Sequence, residues 1–240
     1  MIDASHNPRN NHLLDALPLE QWERWRHHLE YTDMSLGHVL YEPGNTLSHV
    51  YFPTTAIVSL LYVMNNGESA EIAIVGNDGV VGVSLFMGGG STSSRALVQS
   101  AGGAYRLSAE LMKQEFDRAG PVLHLLLRYT QALMTQMVQT AACNKHHSLD
   151  QQLCRWLLLS LDRLHGTEML MTPKLIAHML GVDLTVATEG ALTLQDVGLI
   201  QYENGRIRIM DRRGLEQRSC ECYVVVKQEY DRLLALPLAA

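Results

Sequence analysis

Charge is in short supply in this chain. Asp, Glu, Lys and Arg make up 18% of its 240 residues, too few for a disordered polymer, while hydrophobic residues at 47% suffice for a core. Long apolar runs are also missing. No stretch reaches the ~20 consecutive apolar residues of a bilayer span, so no transmembrane helix is expected. Cysteine is sparse: Cys143, Cys154, Cys220 and Cys222 make no dense disulfide framework, three of the four fall in helix-like segments, and reduced thiols are the expected state. Positive charge is not in excess either. Lys and Arg number 19 against 25 Asp and Glu, a formal net charge of −6, so any contact with nucleic acid must come from local charge. The first eight residues, Met1 to Pro8, lack the charged and apolar blocks of a secretory signal, and the expected location is cytoplasmic.

What is present divides into unlike parts. Leu13 to Leu29 reads as an entry helix. From Leu36 to about Leu107 short β-rich runs follow one another, among them His49-Val50-Tyr51-Phe52, Ile57 to Val63 and Glu71 to Val75. Asn66-Gly67 and Asp78-Gly79 are expected to supply the positive φ of tight hairpins, and many short strands with turns suggest a barrel or sandwich. After Ser108 the period becomes 3.6. From Pro121, Leu123, Leu126, Leu127, Thr130, Leu133, Met134, Met137, Val138 and Ala141 form one apolar stripe, predicting a long amphipathic helix that breaks near Asn144. Beyond Ser148 the reading is helix to Leu164, a short Met169-Leu170-Met171 strand, helix from Pro173 to Leu180, a turn at Gly181, helix from about Thr185 to Val197, a hairpin, and a last helix from Leu215 to Leu234.

The segment Thr172 to Val182 has the spacing of a helix-turn-helix, with small Ala177 where two helices nearly touch and Gly181 at the turn. Behind it, Ile200-Gln201-Tyr202 and Arg206 to Met210 flank Asn204-Gly205, the signature of a type I′ hairpin. Helix-turn-helix plus hairpin is a winged DNA-binding unit, in which the second helix enters the major groove and the wing reaches phosphate. Strand alternation places Arg206 and Arg208 on one face and Ile207 and Ile209 on the other. From Asp150 onward ten Lys and Arg face twelve Asp and Glu, but Asn204 to Arg218 carries five Arg against Asp211 and Glu216. The alternative is an ordinary αα corner beside a solvated strand face. Candidate DNA contacts are Thr172, Lys174, Leu184, Thr185, Thr188, Glu189, Arg206 and Arg208.

Along nearly its whole length the chain resembles the Crp/Fnr family of bacterial transcription regulators. The resemblance rests on Leu40-Tyr41-Glu42-Pro43-Gly44, Ser69-Ala70-Glu71-Ile72, Val75-Gly76-Asn77-Asp78-Gly79, Cys143 to Leu149, Leu153 to Leu158, Ile176 to Val182 and Cys220-Glu221-Cys222-Tyr223. It implies an α+β protein: a jelly-roll-like β-roll sensor of the cyclic-nucleotide-binding type over 1–120, a dimerisation helix and hinge over 121–147, and a winged helix-turn-helix over 148–240. It also implies a homodimer on a palindromic double-stranded DNA site, allosteric control instead of catalysis, and RNA polymerase as a further partner, with no membrane association.

The chain departs from that pattern twice. Members that bind cyclic AMP hold it with a Gly-Glu-Leu segment and a following Arg-Ser or Arg-Thr, whereas here the matching residues are Gly82-Val83-Ser84 and Arg95-Ala96. Val83 cannot accept from a ribose hydroxyl and Ala96 donates nothing from its side chain, so cyclic nucleotide is not the expected ligand; the residues establish no cofactor and leave the effector unidentified. Arg95 keeps the capacity to pair with phosphate, or else forms a surface ion pair. Arg95, Val83, Ser84, Tyr129 and Thr130 are the candidate effector-pocket residues. At the start of the recognition helix, where relatives carry basic residues, stands Asp183-Leu184. An acid there repels phosphate, and Leu184 can touch only a thymine methyl, while Glu189 can accept from cytosine. The alternative is a ligand-binding or interaction module whose operator recognition is weakened.

Smaller signals point nowhere specific. Cys220 and Cys222 lie two apart on the expected last helix, so they point about 200° apart, cannot both face one ion and read as structural. No cysteine precedes Cys143, which disfavours the family's N-terminal iron–sulfur cluster. Cys143 with His146-His147 is a minority zinc reading beside hinge capping. Gly88-Gly89-Gly90 lacks the Lys and helix of a P-loop, and no nucleophile–base pair stands out, so an enzyme is not expected.

Overall fold

The computed structural model describes residues 6–164 and 166–234. Its architecture is α+β, as the sequence implies. The entry segment is two short helices, α1 (His12–Asp15) and α2 (Leu19–Trp25). Buried Asn11 caps α1 through Leu13 and Leu14, and its amide donates to Pro53 O and Gly79 O, both at 2.8 Å, tying the entry to the roll. Seven strands follow: β1 (Glu30–Met34), β2 (Val39–Tyr41), β3 (His49–Pro53), β4 (Ile57–Val63), β5 (Ser69–Val75), β6 (Ser94–Ser100) and β7 (Gly102–Ser108). They make two antiparallel sheets, ordered β1-β7-β3 and β2-β6-β4-β5.

The two expected hairpin dipeptides behave differently from expectation. Asn66-Gly67 lies in a five-residue loop, since Val63 pairs with Ser69, and Gly67 alone takes positive φ. Asp78-Gly79 makes no hairpin. Asp78 is held by Arg163, and Gly79 is required because the Tyr129 ring occupies the space a Cβ would take.

Helix α3 (Ala109–Asp117) leads to α4 (Pro121–His146), 26 residues and so roughly 39 Å long. The predicted single stripe on α4 is two faces. Leu126, Thr130 and Leu133 are buried against the roll, whereas Leu127, Met134, Val138 and Ala141 are exposed at intervals of seven, four and three residues, and Gln131 lies on the same line. That exposed line has heptad spacing.

Helix α5 (Leu149–Leu161) begins with a Ser148–Gln151 capping box. Then come β8 (Glu168–Leu170), α6 (Pro173–Leu180), α7 (Leu184–Asp196), β9 (Ile200–Glu203) and β10 (Arg206–Ile209), with the small sheet ordered β8-β10-β9. The expected single last helix is two, α8 (Arg212–Arg218) and α9 (Glu221–Leu234), because Ser219 is extended and ends the first. Helix α9 packs along α4, where Tyr230 donates to Gln136 at 3.1 Å. Among the described residues no single helix is long and apolar enough to cross a membrane.

A buried polar seam joins the roll to the C-terminal half. Glu71 on β5 accepts from Ser59 Oγ at 2.6 Å and from Trp156 Nε1 on α5 at 2.9 Å. Arg163 pairs with Asp78 at 2.7 Å, donates to Leu159 O and lies over the Tyr230 ring.

Candidate nucleic-acid interface

The helix-turn-helix is built by local signals. Thr172 caps α6 by accepting from Leu175 N at 3.2 Å, and Pro173 occupies the first turn. Gly181 ends the helix at φ +64, a left-handed conformation that favours glycine, and both its N–H and that of Val182 donate to Ala177 O. The chain bends by 107° between α6 and α7, within the range of DNA-reading helix pairs.

Ala187, Ala191 and Leu194 bury one side of α7, while Leu184, Thr185, Val186, Glu189 and Leu192 are exposed. All candidate reading residues of α7 therefore lie at or near its free surface, with Thr188 half-buried. The Thr188 hydroxyl donates to Leu184 O at 2.7 Å, which leaves it as an acceptor toward a base amino group. Val186 and Leu192 were not singled out from sequence, although 184, 188 and 192 have one-face helical spacing. Leu192 continues that face two turns beyond Leu184, whereas Val186 stands about 200° round the helix from Leu184 and lines the cleft toward the roll.

The wing forms as expected. Glu203 pairs with Arg206 across a two-residue turn in which Asn204 (φ +51) and Gly205 (φ +71) both take positive φ. Ile207 and Ile209 are buried, Arg206 and Arg208 exposed. The sequence reading missed Glu168. Strand β8 sets it beside both arginines, at 3.3 Å from Arg206 and 3.0 Å from Arg208, and their hydrogen bonds, that of Arg208 first, hold its carboxyl below the ordinary value. Nothing in the sequence marks β8 as the partner of β10. Arg212 is likewise paired with Asp162 and Glu216, and Arg218 with Asp150, so the local positive charge is largely compensated.

Across from the helix pair lies the roll. A cleft of about 1080 Å³ separates Glu68, Ser69 and Arg95 on one wall from Lys174, His178 and Asp183 on the other, and Thr172 also lines it. His178 Nε2 meets Ser69 Oγ at 3.0 Å. Burial, then the nearby Arg95 and Lys174 charges, lower the pKa of His178.

The five effector-pocket candidates are not brought together. Val83, Ser84 and Thr130 line a pocket of about 160 Å³ between roll and α4, with Tyr41, Met134 and Met137. Its lining carries no charged side chain, and its volume falls below the roughly 300 Å³ at which drug-sized ligand pockets begin. Ser84 Oγ is buried there without a hydrogen-bond partner among the described residues. Arg95 is elsewhere, facing the interdomain cleft and paired with Glu42 at 2.7 Å, the surface ion pair left open from sequence. Tyr129 is fully buried, its hydroxyl donating to Val80 O at 3.1 Å, so it supports the roll from inside the core.

Residues 151–218 match the family of Crp-like helix-turn-helix domains. Most of the chain shares its fold with solved structures. A regulator assigned to the Crp/Fnr family from Eubacterium rectale is 17% identical with a TM-score of 0.66, covering 85% of this chain and 96% of that one. FixK2 from Bradyrhizobium japonicum is 15% identical with a TM-score of 0.67, covering 80% and 98%. TTHB099, a CRP-family transcriptional regulator from Thermus thermophilus, is 16% identical with a TM-score of 0.65, covering 78% and 96%. No curated protein matches by sequence.

Proposed function

We propose that this chain, a Crp/Fnr-type fold with a Crp-like helix-turn-helix domain, is a homodimeric, cytoplasmic transcription regulator that binds a two-fold related DNA site. The observation that carries the reading is the free face of α7 set beside a wing whose two arginines point outward. Binding is the activity; no catalytic step is invoked. The exposed line Leu127, Gln131, Met134, Val138 and Ala141 on α4 supplies the seam between two copies, which sets the two α7 helices about one duplex turn apart. The cleft between roll and helix pair is where a signal at the roll reaches the DNA-facing half.

Arg206 and Arg208 must exchange Glu168 for phosphate. Ion pairs this exposed are weakly held against solvent, so a phosphate competes readily. A second reading, loss of operator recognition, is favoured by Asp183 and Glu189 on the exposed side of α7. Selection from a random duplex library, followed by anisotropy titration at several salt concentrations, separates the two. Enrichment of one palindrome, with Arg206→Ala plus Arg208→Ala weakening binding and flattening the salt slope by about two, supports the regulator. No enrichment, with wild type and variant sharing one slope, supports the second reading.

A further inference from the structure

We propose that Cys143, His147, Cys220 and Cys222 form a site for one divalent thiophilic metal ion, zinc by preference, at the joint between the central helix and the C-terminal domain. One ligand atom from each of the four lies within 4.8 Å of all the others, with the three cysteines buried. A tetrahedron with sulfur at about 2.3 Å and nitrogen at about 2.0 Å from the metal has edges of roughly 3.5–3.8 Å. The structure shows Cys143 Sγ to Cys220 Sγ at 3.4 Å and Cys222 Sγ to His147 Nδ1 at 3.6 Å.

The divergence expected of two cysteines on one helix does not arise here. Cys220 and Cys222 do not share a helix: α8 ends at Arg218, Ser219 is extended, and α9 begins only at Glu221. Cys220 therefore precedes the helix and Cys222 lies in its first turn, which lets both sulfurs converge on Cys143 at the end of α4. Of the two hinge histidines, only His147 belongs to the cluster.

Two surrounding groups fit an occupied site. The Nε2 of His147 is 3.3 Å from the Glu221 carboxylate. A proton held there leaves the Nδ1 lone pair facing the sulfurs, the carboxylate–histidine arrangement that orients metal-bound imidazoles. Charge also balances. Three thiolates, a neutral imidazole and a divalent ion sum to one negative charge, and Arg155 supplies one positive charge from within the core. Its Nη1 donates to Thr140 Oγ1 at 3.1 Å, but its buried Nε has no partner among the described residues, a donor suited to a thiolate sulfur. On binding, the three thiols lose their protons to solvent.

The site joins α4 and the hinge to the α8–α9 junction, so occupancy fixes how the C-terminal domain sits on the central helix. The full chain, purified anaerobically without chelators, is analysed for metal and then titrated with Co(II) after metal removal. The expected result is one ion per chain, with the visible bands of tetrahedral, thiolate-ligated cobalt, displaced by zinc. Competition with a chromophoric chelator should show Glu221→Gln weakening zinc by about 10–100-fold and Cys222→Ser by more. Cys154→Ser, a buried cysteine outside the cluster, should leave affinity unchanged. Circular dichroism of each variant separates ligand loss from unfolding, and the wild-type stoichiometry stands without any variant. Failure to take up zinc or cobalt, a cobalt spectrum without sulfur ligation, binding that survives Cys222→Ser, or a Cys143–Cys220 disulfide in the anaerobic protein would each overturn the proposal.

Discussion

Glu71 gives the sharpest quantitative test of how the two halves are joined. Its carboxyl is buried between β5 and α5, and burial raises its pKa from 4.5 to about 7, opposed by the Ser59 hydrogen bond, the Arg155 charge, the Trp156 hydrogen bond and the Arg163 charge. In the unfolded chain the group titrates near 4.5. Below that pH both states are protonated and the stabilisation is fully present. Between 4.5 and 7 the unfolded chain ionises while the folded one does not, so stability falls, and above about 7 the loss levels off. Each pKa unit corresponds to 1.36 kcal/mol, so the whole effect is roughly 3 kcal/mol, about 2–3 of it between pH 5 and 8. Glu71→Gln removes the titration and keeps the contacts: the amide oxygen accepts from Trp156, and Ser59 turns its proton to Gln99, already within hydrogen-bond range. Urea unfolding of wild type and variant at pH 5 and 8 reads the difference directly, with the other titrating groups common to both. The variant should gain on the wild type by about 2–3 kcal/mol at the higher pH. Parallel pH dependences would show that the carboxylate is held ionised by Arg155 and Arg163, and that the burial argument is wrong.

Three further outcomes follow from single residues. Gly181→Ala meets nothing within 4 Å yet must hold φ +64, so urea unfolding should show a loss of about 1–2 kcal/mol; an unchanged midpoint would mean the turn relaxes. Glu168→Gln removes the carboxylate competing with phosphate and should tighten DNA binding several-fold in anisotropy titrations at low salt. Weaker binding would mean that Glu168 positions the arginines and does not mask them. Val138→Glu places a charge on the exposed line of α4, and sedimentation should show monomer in place of dimer, with far-UV circular dichroism unchanged; a persistent dimer would put the seam elsewhere.

Local chemistry was legible in the sequence wherever one residue type forces one conformation. Gly181, Asn204-Gly205 and Pro121 all stand where the spacing placed them, and the alternation of Arg206 to Ile209 predicts the burial of the wing. Long-range pairing was not legible. Glu168 is a surface acid in the sequence and a partner of two arginines in the fold, because β8 pairs with β10 across almost forty residues. The same holds for the effector candidates. Val83 and Arg95 are near in sequence, but β6 aims Arg95 at the interdomain cleft, while Val83 faces α4. The Asn66-Gly67 and Asp78-Gly79 dipeptides show the limit of motif reading, since the second is fixed by Arg163 and Tyr129, both far away in the chain.

The contacts between roll and helix-turn-helix are graded from inside to outside. Breaking a buried ion pair by removing one partner costs about 3–5 kcal/mol, which is the class of Arg163 with Asp78. The His178–Ser69 hydrogen bond is exposed, and a typical hydrogen bond contributes only about 0.5–1.5 kcal/mol. A rotation of α6 and α7 away from the roll therefore breaks the outer contact at small cost while Glu71, Asp78, Trp156 and Arg163 keep α5 in place. The cleft wall of Glu68, Ser69 and Arg95 is consequently the part of the roll whose rearrangement shifts the helix pair most cheaply. A ligand able to move that equilibrium from one side to the other must discriminate the two arrangements by about 5.5 kcal/mol, more than the outer hydrogen bond alone provides. Interactions beyond His178 and Ser69 have to differ between the two arrangements as well, and Lys174 and Asp183, which line the cleft, are placed to supply them.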